Sequence, residues 1–152
     1  MLNCMTLYRA GHFFHKHHVP VLPSIFKYVG FLLFNSVIPP SAEIGAESKC
    51  AYGGIGVVVH QRSVIGDRVM IGQNTTIGRS LDPEDFPSIG NDVYISAGAR
   101  IIGRIHVGDN VIIGANAVVT KDVPDNSIVV GVPARVLRTV DCSIWSLLKN
   151  VY

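Results

Sequence analysis

The amino-acid sequence predicts an all-β solenoid, in the form of a parallel β-helix, with a short helical segment before it and a helical tail after it. Two observations support this fold class. Aliphatic residues recur every six positions from Ile65 onward and are usually followed by glycine, a short period typical of a β-helix. Only 8% of the 152 residues are aromatic whereas 15 are glycine, as expected for an aliphatic core with many tight corners.

The segment 1–37 differs from the rest in composition. It holds seven of the twelve aromatic residues, four of the six histidines, three basic residues and no acidic one. We predict a helix from about Met5 to His18 and a second from Pro23 to about Asn35, separated by prolines that interrupt helix propagation. The second helix is too short to span a membrane. It therefore packs on the protein or a subunit partner, or lies on a membrane surface.

The repeat predicts a triangular coil in which each group of six residues forms one flat side. Three such groups return the chain above its starting point, so the leading aliphatic residues point inward and stack. An α-helix would need a recurrence near 3.6 and an ordinary strand a recurrence of about two. The leading residues are Ile65, Ile71, Ile77, Ile89, Ile95, Ile101, Val107, Ile113 and Val119.

Two interruptions mark where the chain is expected to leave this column. The stretch 79–88 contains two prolines and three acidic residues and predicts a loop that projects from one corner. An earlier change of register predicts a bulge at residues 50–54. Since loops that leave a rigid scaffold often carry function, we expect the site near these two segments.

Composition and charge exclude several classes of function. A net charge of +2 gives no reason to expect nucleic acid as a partner. Three widely spaced cysteines form neither a disulfide framework nor a metal site, which indicates a reduced, cytoplasmic setting.

We divide the chain into three parts. They are a helical segment at 1–37, the β-helix at 38–138 and a tail at 139–152 that is expected to form a short helix.

Several motifs along the chain point to one family. They are the Ile-Gly repeat, the run IGANAVVTKDVP at 113–124, GVPAR at 131–135, Tyr8-Arg9 in the opening helix, IPPSAEIG at 38–45 and GIGVVVH at 54–60. These motifs resemble those of hexapeptide-repeat acyltransferases, and especially the short members of the serine acetyltransferase branch associated with surface-polysaccharide synthesis. The resemblance covers nearly the whole chain. It implies a left-handed parallel β-helix, usually a homotrimer, with acetyl-CoA bound in a groove between adjacent subunits.

The resemblance implies five residues that contact acetyl-CoA. Ala97 and Ala115 match small residues that expose backbone amides to the pantetheine arm. Thr120 and Lys121 match a Thr-Lys pair beside the donor, and Arg135 matches a basic residue that reaches phosphate. A narrow groove excludes bulky side chains, and phosphates favour Lys or Arg. The alternative is that the alanines only relieve crowding at corners and that the two basic residues are solvated.

The positions that carry catalysis in serine acetyltransferases differ in this chain. The family has an aspartate before the first repeat, a histidine in the bulge and a second histidine in the loop. The matching residues in this chain are Val37, Tyr52 and Phe86, in that order. His60 is therefore the candidate general base, because it stands at a corner where glycine is usual and because histidine suits neutral pH. The side chains of His60 and His106 are both expected to point outward from the column, but His106 matches no motif.

We predict direct transfer of an acetyl group from acetyl-CoA to a hydroxyl or amine of a small molecule or sugar, with O-acetylation favoured. Tyr52 and Asp85 are expected to contact the acceptor. Asp82, Glu84 or Asp85 of a neighbouring subunit is the candidate carboxylate partner of His60. The sequence leaves the acceptor open among serine, a sugar hydroxyl and a sugar amine.

Three other classes of function remain as alternatives. A CoA-binding or scaffold trimer without activity would explain the missing histidines. A binding module at a membrane surface would explain the basic, aromatic segment 1–37. A zinc enzyme of the carbonic anhydrase type would need three histidine ligands from neighbouring coils, whereas the column offers only His60 and His106, so no metal is expected.

Overall fold

The computed structural model describes residues 3–148 and shows a parallel β-helix with helices at both ends. The helices are α1 (Cys4–Lys16), α2 (Leu22–Phe34) and α3 (Ile144–Leu147), and a 3₁₀ turn covers Ala51–Gly54. The strands are β1 (Glu43–Ile44), β2 (Lys49–Cys50), β3 (Val58–Val59), β4 (Val64–Ile65), β5 (Met70–Ile71), β6 (Thr76–Gly78), β7 (Ser88–Ile89), β8 (Val93–Ile95), β9 (Arg100–Ile102), β10 (His106–Val107), β11 (Val111–Ile113), β12 (Val118–Val119), β13 (Ser127–Gly131) and β14 (Ala134–Thr139).

The strands stack into three sheets, one for each side of the coil. The first sheet has the order β1-β4-β7-β10, the second β3-β6-β9-β12, and the third β2-β5-β8-β11-β13-β14. Where the repeat is regular, a residue pairs in parallel with the residue eighteen positions later, as Ile89 does with Val107. The three-sided coil predicted from the period of six is therefore confirmed.

The leading aliphatic residues form the core of the column. All nine that the repeat identifies, from Ile65 to Val119, are at most 3% exposed. The two interruptions also lie where they are predicted. The loop 79–87 connects β6 to β7, and the bulge is the 3₁₀ turn, in which Tyr52 has a positive φ of 49°.

Glycine follows the leading residue of a repeat because the corner is crowded, whereas its backbone is not in the left-handed region. A Cβ on Gly66 would lie 2.6 Å from the Gly90 carbonyl oxygen, and one on Gly72 would lie 2.6 Å from the Ala97 nitrogen. The left-handed backbone falls two positions later, as at Asn74 with φ 57°. Asn tolerates that conformation better than most residues.

The helical segment is tied to the first coil by hydrogen bonds from α1. The Tyr8 hydroxyl donates to the Ala42 carbonyl at 2.7 Å, and the Arg9 guanidinium donates to the Ile44 carbonyl at 2.7 Å. Burial raises the pKa of Tyr8 to about 12. Helix α2 packs beside α1, where Phe26 stacks on Phe14 at 5.8 Å between ring centroids. Within residues 3–148, every helix falls short of the length and apolarity that crossing a bilayer requires.

The C-terminal end departs from the period of six in a way that the sequence did not predict. Strand β14 turns back and pairs antiparallel with β13, so the third sheet ends in a hairpin. The predicted tail helix is present as α3. The Ile144 backbone N–H donates to Asn110 Oδ1 at 2.8 Å, and the Trp145 indole donates to Asp92 Oδ1 at 3.0 Å. These contacts hold the tail against a corner of the column.

Candidate active site

His60 follows β3 and lies at the corner between the second and first sheets. Its backbone N–H donates to the Ile77 carbonyl at 2.7 Å, which fixes it in the coil register. The side chain is partly exposed and lines an open cavity of about 420 Å³ together with Pro39, Gly78 and Arg79. The outward direction predicted for this side chain is therefore observed.

His60 shares its corner with residues of the later coils. Strand pairing aligns Val59 with Ile77, Ile101 and Val119 in turn, so the residues that follow them are stacked. We call this row the His60 edge; it consists of His60, Gly78, Ile102 and Thr120. At about 4.8 Å between neighbouring strands, three steps place Thr120 roughly 14 Å from His60.

Lys121 and Arg135 meet at the far end of the His60 edge. Both line a cavity of about 210 Å³ between the last coil and the β14 hairpin, and Asp122 lines it too. Thr120 and Lys121 are exposed, as is Arg135. Two basic residues separated by fourteen positions in sequence thus face one space, an arrangement that suits an anionic ligand.

Ala97 and Ala115 lie at another corner, between the third and second sheets. They are stacked on each other, and the Ala97 carbonyl accepts a hydrogen bond from the Asn116 N–H at 2.9 Å. In the part of the chain that the structure describes, their own N–H groups donate to no carbonyl. One side of the column separates them from Lys121, so a single subunit does not bring the five predicted donor contacts into one groove.

The His60 ring packs against the loop that follows β6. Phe86 stacks on it with 6.3 Å between centroids and 15° between planes. The Arg62 guanidinium lies 4.6 Å from the Phe86 ring centroid and pairs with Glu84 at 2.6 Å. The loop is therefore attached to the coil by a row of four side chains that includes the candidate base.

The proton position on His60 is set by its neighbours. The Arg62 backbone N–H donates to Nδ1 at 3.3 Å, a long contact that places the proton of the neutral ring on Nε2. Burial lowers the pKa of His60 below its usual value of about 6.5, and the positive charges of Arg79 and Arg62 lower this pKa further. The imidazole is consequently neutral at neutral pH.

Comparisons with known proteins place this geometry in a family. Residues 86–121 match the family described as Bacterial transferase hexapeptide (six repeats). A serine acetyltransferase of Helicobacter pylori is 34% identical over 138 residues, which cover 90% of this chain and 80% of that protein. The chain belongs to the serine acetyltransferase family of hexapeptide-repeat proteins. The family implies a left-handed coil.

Several serine acetyltransferases that the chain matches are much longer than the chain itself. The enzyme of Synechococcus elongatus is 34% identical over 137 residues, 89% of this chain but 56% of that protein. A solved serine acetyltransferase of Brucella abortus in complex with coenzyme A superposes with a TM-score of 0.85 at 31% identity, over 91% of this chain and 56% of that one. The chain thus spans about half the length of these relatives.

The positions at which the family resemblance leads us to expect catalytic groups hold different residues. Val37 forms a bridge with Val58 beside the column, and Tyr52 stands exposed in the 3₁₀ turn. Phe86 contacts His60 directly. The His60 ring therefore has an aromatic neighbour where the family pattern would supply a second histidine.

The candidate carboxylates have partners in the loop or on the adjacent coil. Glu84 pairs with Arg62, Asp85 accepts a hydrogen bond from the Ser80 hydroxyl at 2.6 Å, and Asp82 accepts one from the Glu84 N–H at 2.9 Å. Among residues 3–148, none of the three acids contacts the His60 ring. The substrate contact predicted for Asp85 stays a prediction.

Sequence reasoning did not anticipate a second cavity on the other side of the loop. It has a volume of about 580 Å³ and is lined by Arg62, Phe86, Ser88, Arg104 and His106 among others. His106 Nδ1 lies 2.9 Å from the Ser88 hydroxyl. The sequence gives one signal for Arg62, which lies two positions after His60 and contacts the loop. Nothing in the repeat distinguishes Ser88 or Arg104.

Within the described range, no group of three or more His, Cys, Asp or Glu side chains is arranged to hold a metal ion.

Proposed function

We propose that the protein is an acetyl-CoA-dependent O-acetyltransferase whose acceptor is the hydroxyl of serine, the amino acid named in its relatives' activity. One observation carries the proposal: His60 and the Lys121–Arg135 cavity lie at opposite ends of one edge of the column. Such an edge suits a donor with an anionic end and a reactive thioester at the other.

Lys121 and Arg135 are assigned to the phosphates of the donor, because charge-assisted hydrogen bonds to phosphate are strong and Arg can bind it through two donors. Thr120 lies beside them on the His60 edge. Ala97 and Ala115 lie on a different corner, so they contact the same donor only if a neighbouring subunit presents them. The proposal therefore includes a homotrimer with the donor between subunits.

His60 is assigned the role of general base. As the acceptor hydroxyl oxygen attacks the thioester carbonyl carbon, Nε2 takes the hydroxyl proton, and the carbon–sulfur bond then breaks to release CoA as its thiolate. A backbone N–H at a corner stabilises the oxyanion. Nε2 accepts a proton only when the ring proton is on Nδ1, so the long contact from the Arg62 N–H is lost in the active tautomer. A carboxylate from the loop of a neighbouring subunit would stabilise that tautomer.

A second candidate is a CoA-binding trimer that transfers no acetyl group. Two observations favour it: Tyr52 and Phe86 occupy the expected histidine positions, and no acid within residues 3–148 contacts the His60 ring. Both candidates share the donor site and differ in whether an acceptor is turned over.

The test measures donor binding and product formation separately. The purified full chain is titrated with CoA by calorimetry, and then incubated with acetyl-CoA and either serine or a panel of sugars and amino sugars, with acetylated products identified by mass spectrometry. Acetylated serine, formed by the wild type and lost in His60→Ala, is the expected result. Acetylation of a sugar alone would overturn serine as the acceptor. CoA binding without any acetylated product would establish the second candidate instead.

A further inference from the structure

Helix α2 presents an exposed apolar face that the column does not cover. Ile25, Tyr28 and Leu32 are 47%, 60% and 79% exposed, and their spacing places them on one side of the helix. The opposite side packs on α1 through Phe26 and the buried Gly30. We call the exposed side the α2 outer face; it also includes the exposed residue Phe31, three positions after Tyr28.

The surroundings of the α2 outer face are basic. The sequence has no acidic residue before Glu43, and it supplies Lys16 and Lys27 to this end of the molecule. The Lys27 ammonium lies 5.0 Å from the Tyr28 ring centroid, so one cation stands directly at the margin of the face. The end of α1 adds His15, His17 and His18.

We propose that the α2 outer face docks on the surface of a bilayer that contains anionic phospholipid. Apolar and aromatic side chains with adjacent lysines are the chemistry that binds the boundary between headgroups and acyl chains. A self-complementary contact through the same face is less suitable, because it would bring the lysines of two copies together with no acid before Glu43 to pair with them. This inference does not depend on the proposed acetyl transfer.

The experiment measures flotation of the full chain with vesicles of phosphatidylglycerol and phosphatidylcholine, and with vesicles of phosphatidylcholine alone. At low salt we expect roughly thirtyfold stronger binding to the anionic vesicles, because each of the two lysines near the surface contributes about 1 kcal/mol. High salt is expected to reduce this difference. The double variant Lys16→Gln/Lys27→Gln should lose the preference for anionic vesicles.

Variants of the apolar residues provide the second arm. Ile25→Glu/Leu32→Glu should abolish flotation, whereas Leu81→Glu, the same change at a fully exposed leucine in the loop 79–87, should float as the wild type does. If circular dichroism shows that the double glutamate variant is unfolded, Ile25→Ser/Leu32→Ser replaces it. Acetyl transfer without vesicles should be the same for wild type and the α2 variants, so failure of this inference is separate from failure of the proposed activity.

Three results would overturn the inference. They are absence of flotation with either vesicle, equal flotation with both vesicles, and wild-type flotation of the apolar variants. Sedimentation velocity identifies the competing occupant: if the wild type does not float and Ile25→Glu/Leu32→Glu dissociates an oligomer, a second copy of the chain covers the face.

Discussion

The two ends of the His60 edge differ in how well they match the serine acetyltransferase pattern. At the far end, Thr120, Lys121 and Arg135 match it, and the two basic residues line one cavity. At the near end, Phe86 stacks on the His60 ring at a position where histidine is expected. Tyr52, at the other expected position, lies in the 3₁₀ turn between β2 and β3. Each coil of a solenoid contacts only its neighbours, so residues on one coil can change without altering coils further along. Donor binding and acceptor chemistry are therefore separable in this architecture.

The largest effect is expected from His60→Ala at the near end. If His60 is the general base, its removal should lower kcat by about 10²- to 10⁴-fold at saturating acetyl-CoA and acceptor. The reason is that no positioned base then takes the proton of the attacking hydroxyl. CoA release followed with a thiol reagent provides the measurement. His106→Ala is the matched control and should stay close to wild type. Wild-type turnover of His60→Ala would show that the near end holds a different base.

The column between the two ends is tested by Ile101→Ala. Ile101 is fully buried in β9, midway along the second sheet. Truncation should lower the free energy of unfolding by about 2–5 kcal/mol, because it leaves a cavity in a core of stacked side chains. Leu81→Ala, at a fully exposed position, should change it by less than about 0.5 kcal/mol. Urea denaturation measures both, and equal effects would contradict a continuous core between the ends.

The far end is tested by Lys121→Ala/Arg135→Ala. If Lys121 and Arg135 bind the donor as proposed, loss of two charge-assisted contacts should raise KM for acetyl-CoA by at least about tenfold. The value of kcat should be largely unchanged, because the proposed contacts lie away from the reacting carbonyl. Steady-state kinetics with varied acetyl-CoA separates the two constants. Arg138→Ala, an exposed basic residue on the same hairpin, is the control. A fall in kcat without a change in KM would contradict donor binding at this end.

The sequence predicts the repeated coils better than the end of the column. The period of six determines the inward positions from Ile65 to Val119 because each inward side chain has the same environment in every coil, so a local pattern is sufficient. The β14 hairpin could not be predicted in this way, because its antiparallel pairing depends on where the column ends.

Two features of the candidate site could not be predicted from the sequence either. The stacking of Phe86 on His60 joins a loop residue to a corner 26 positions earlier, and the position of Ala97 away from Lys121 follows from which corner each occupies. Both depend on the three-dimensional register and neither is visible in a motif.

The smallest effect concerns the charge beside His60. Burial and the positive charges of Arg79 and Arg62 lower the pKa of His60, so the neutral ring persists to lower pH than for a free histidine. The midpoint of the acidic limb of the kcat/KM profile should therefore lie below about pH 6.5. Arg79→Gln removes one of these charges, which raises the pKa of His60 and moves the limb to higher pH. The shift is small because the site is open to solvent. Activity of Arg79→Gln should therefore fall near pH 6 and stay unchanged near pH 8.

The control is Arg104→Gln, which removes a charge from the other cavity and should leave the limb in place. A limb that moves to lower pH in Arg79→Gln would exclude His60 as the titrating base and would leave the near end of the edge without its candidate.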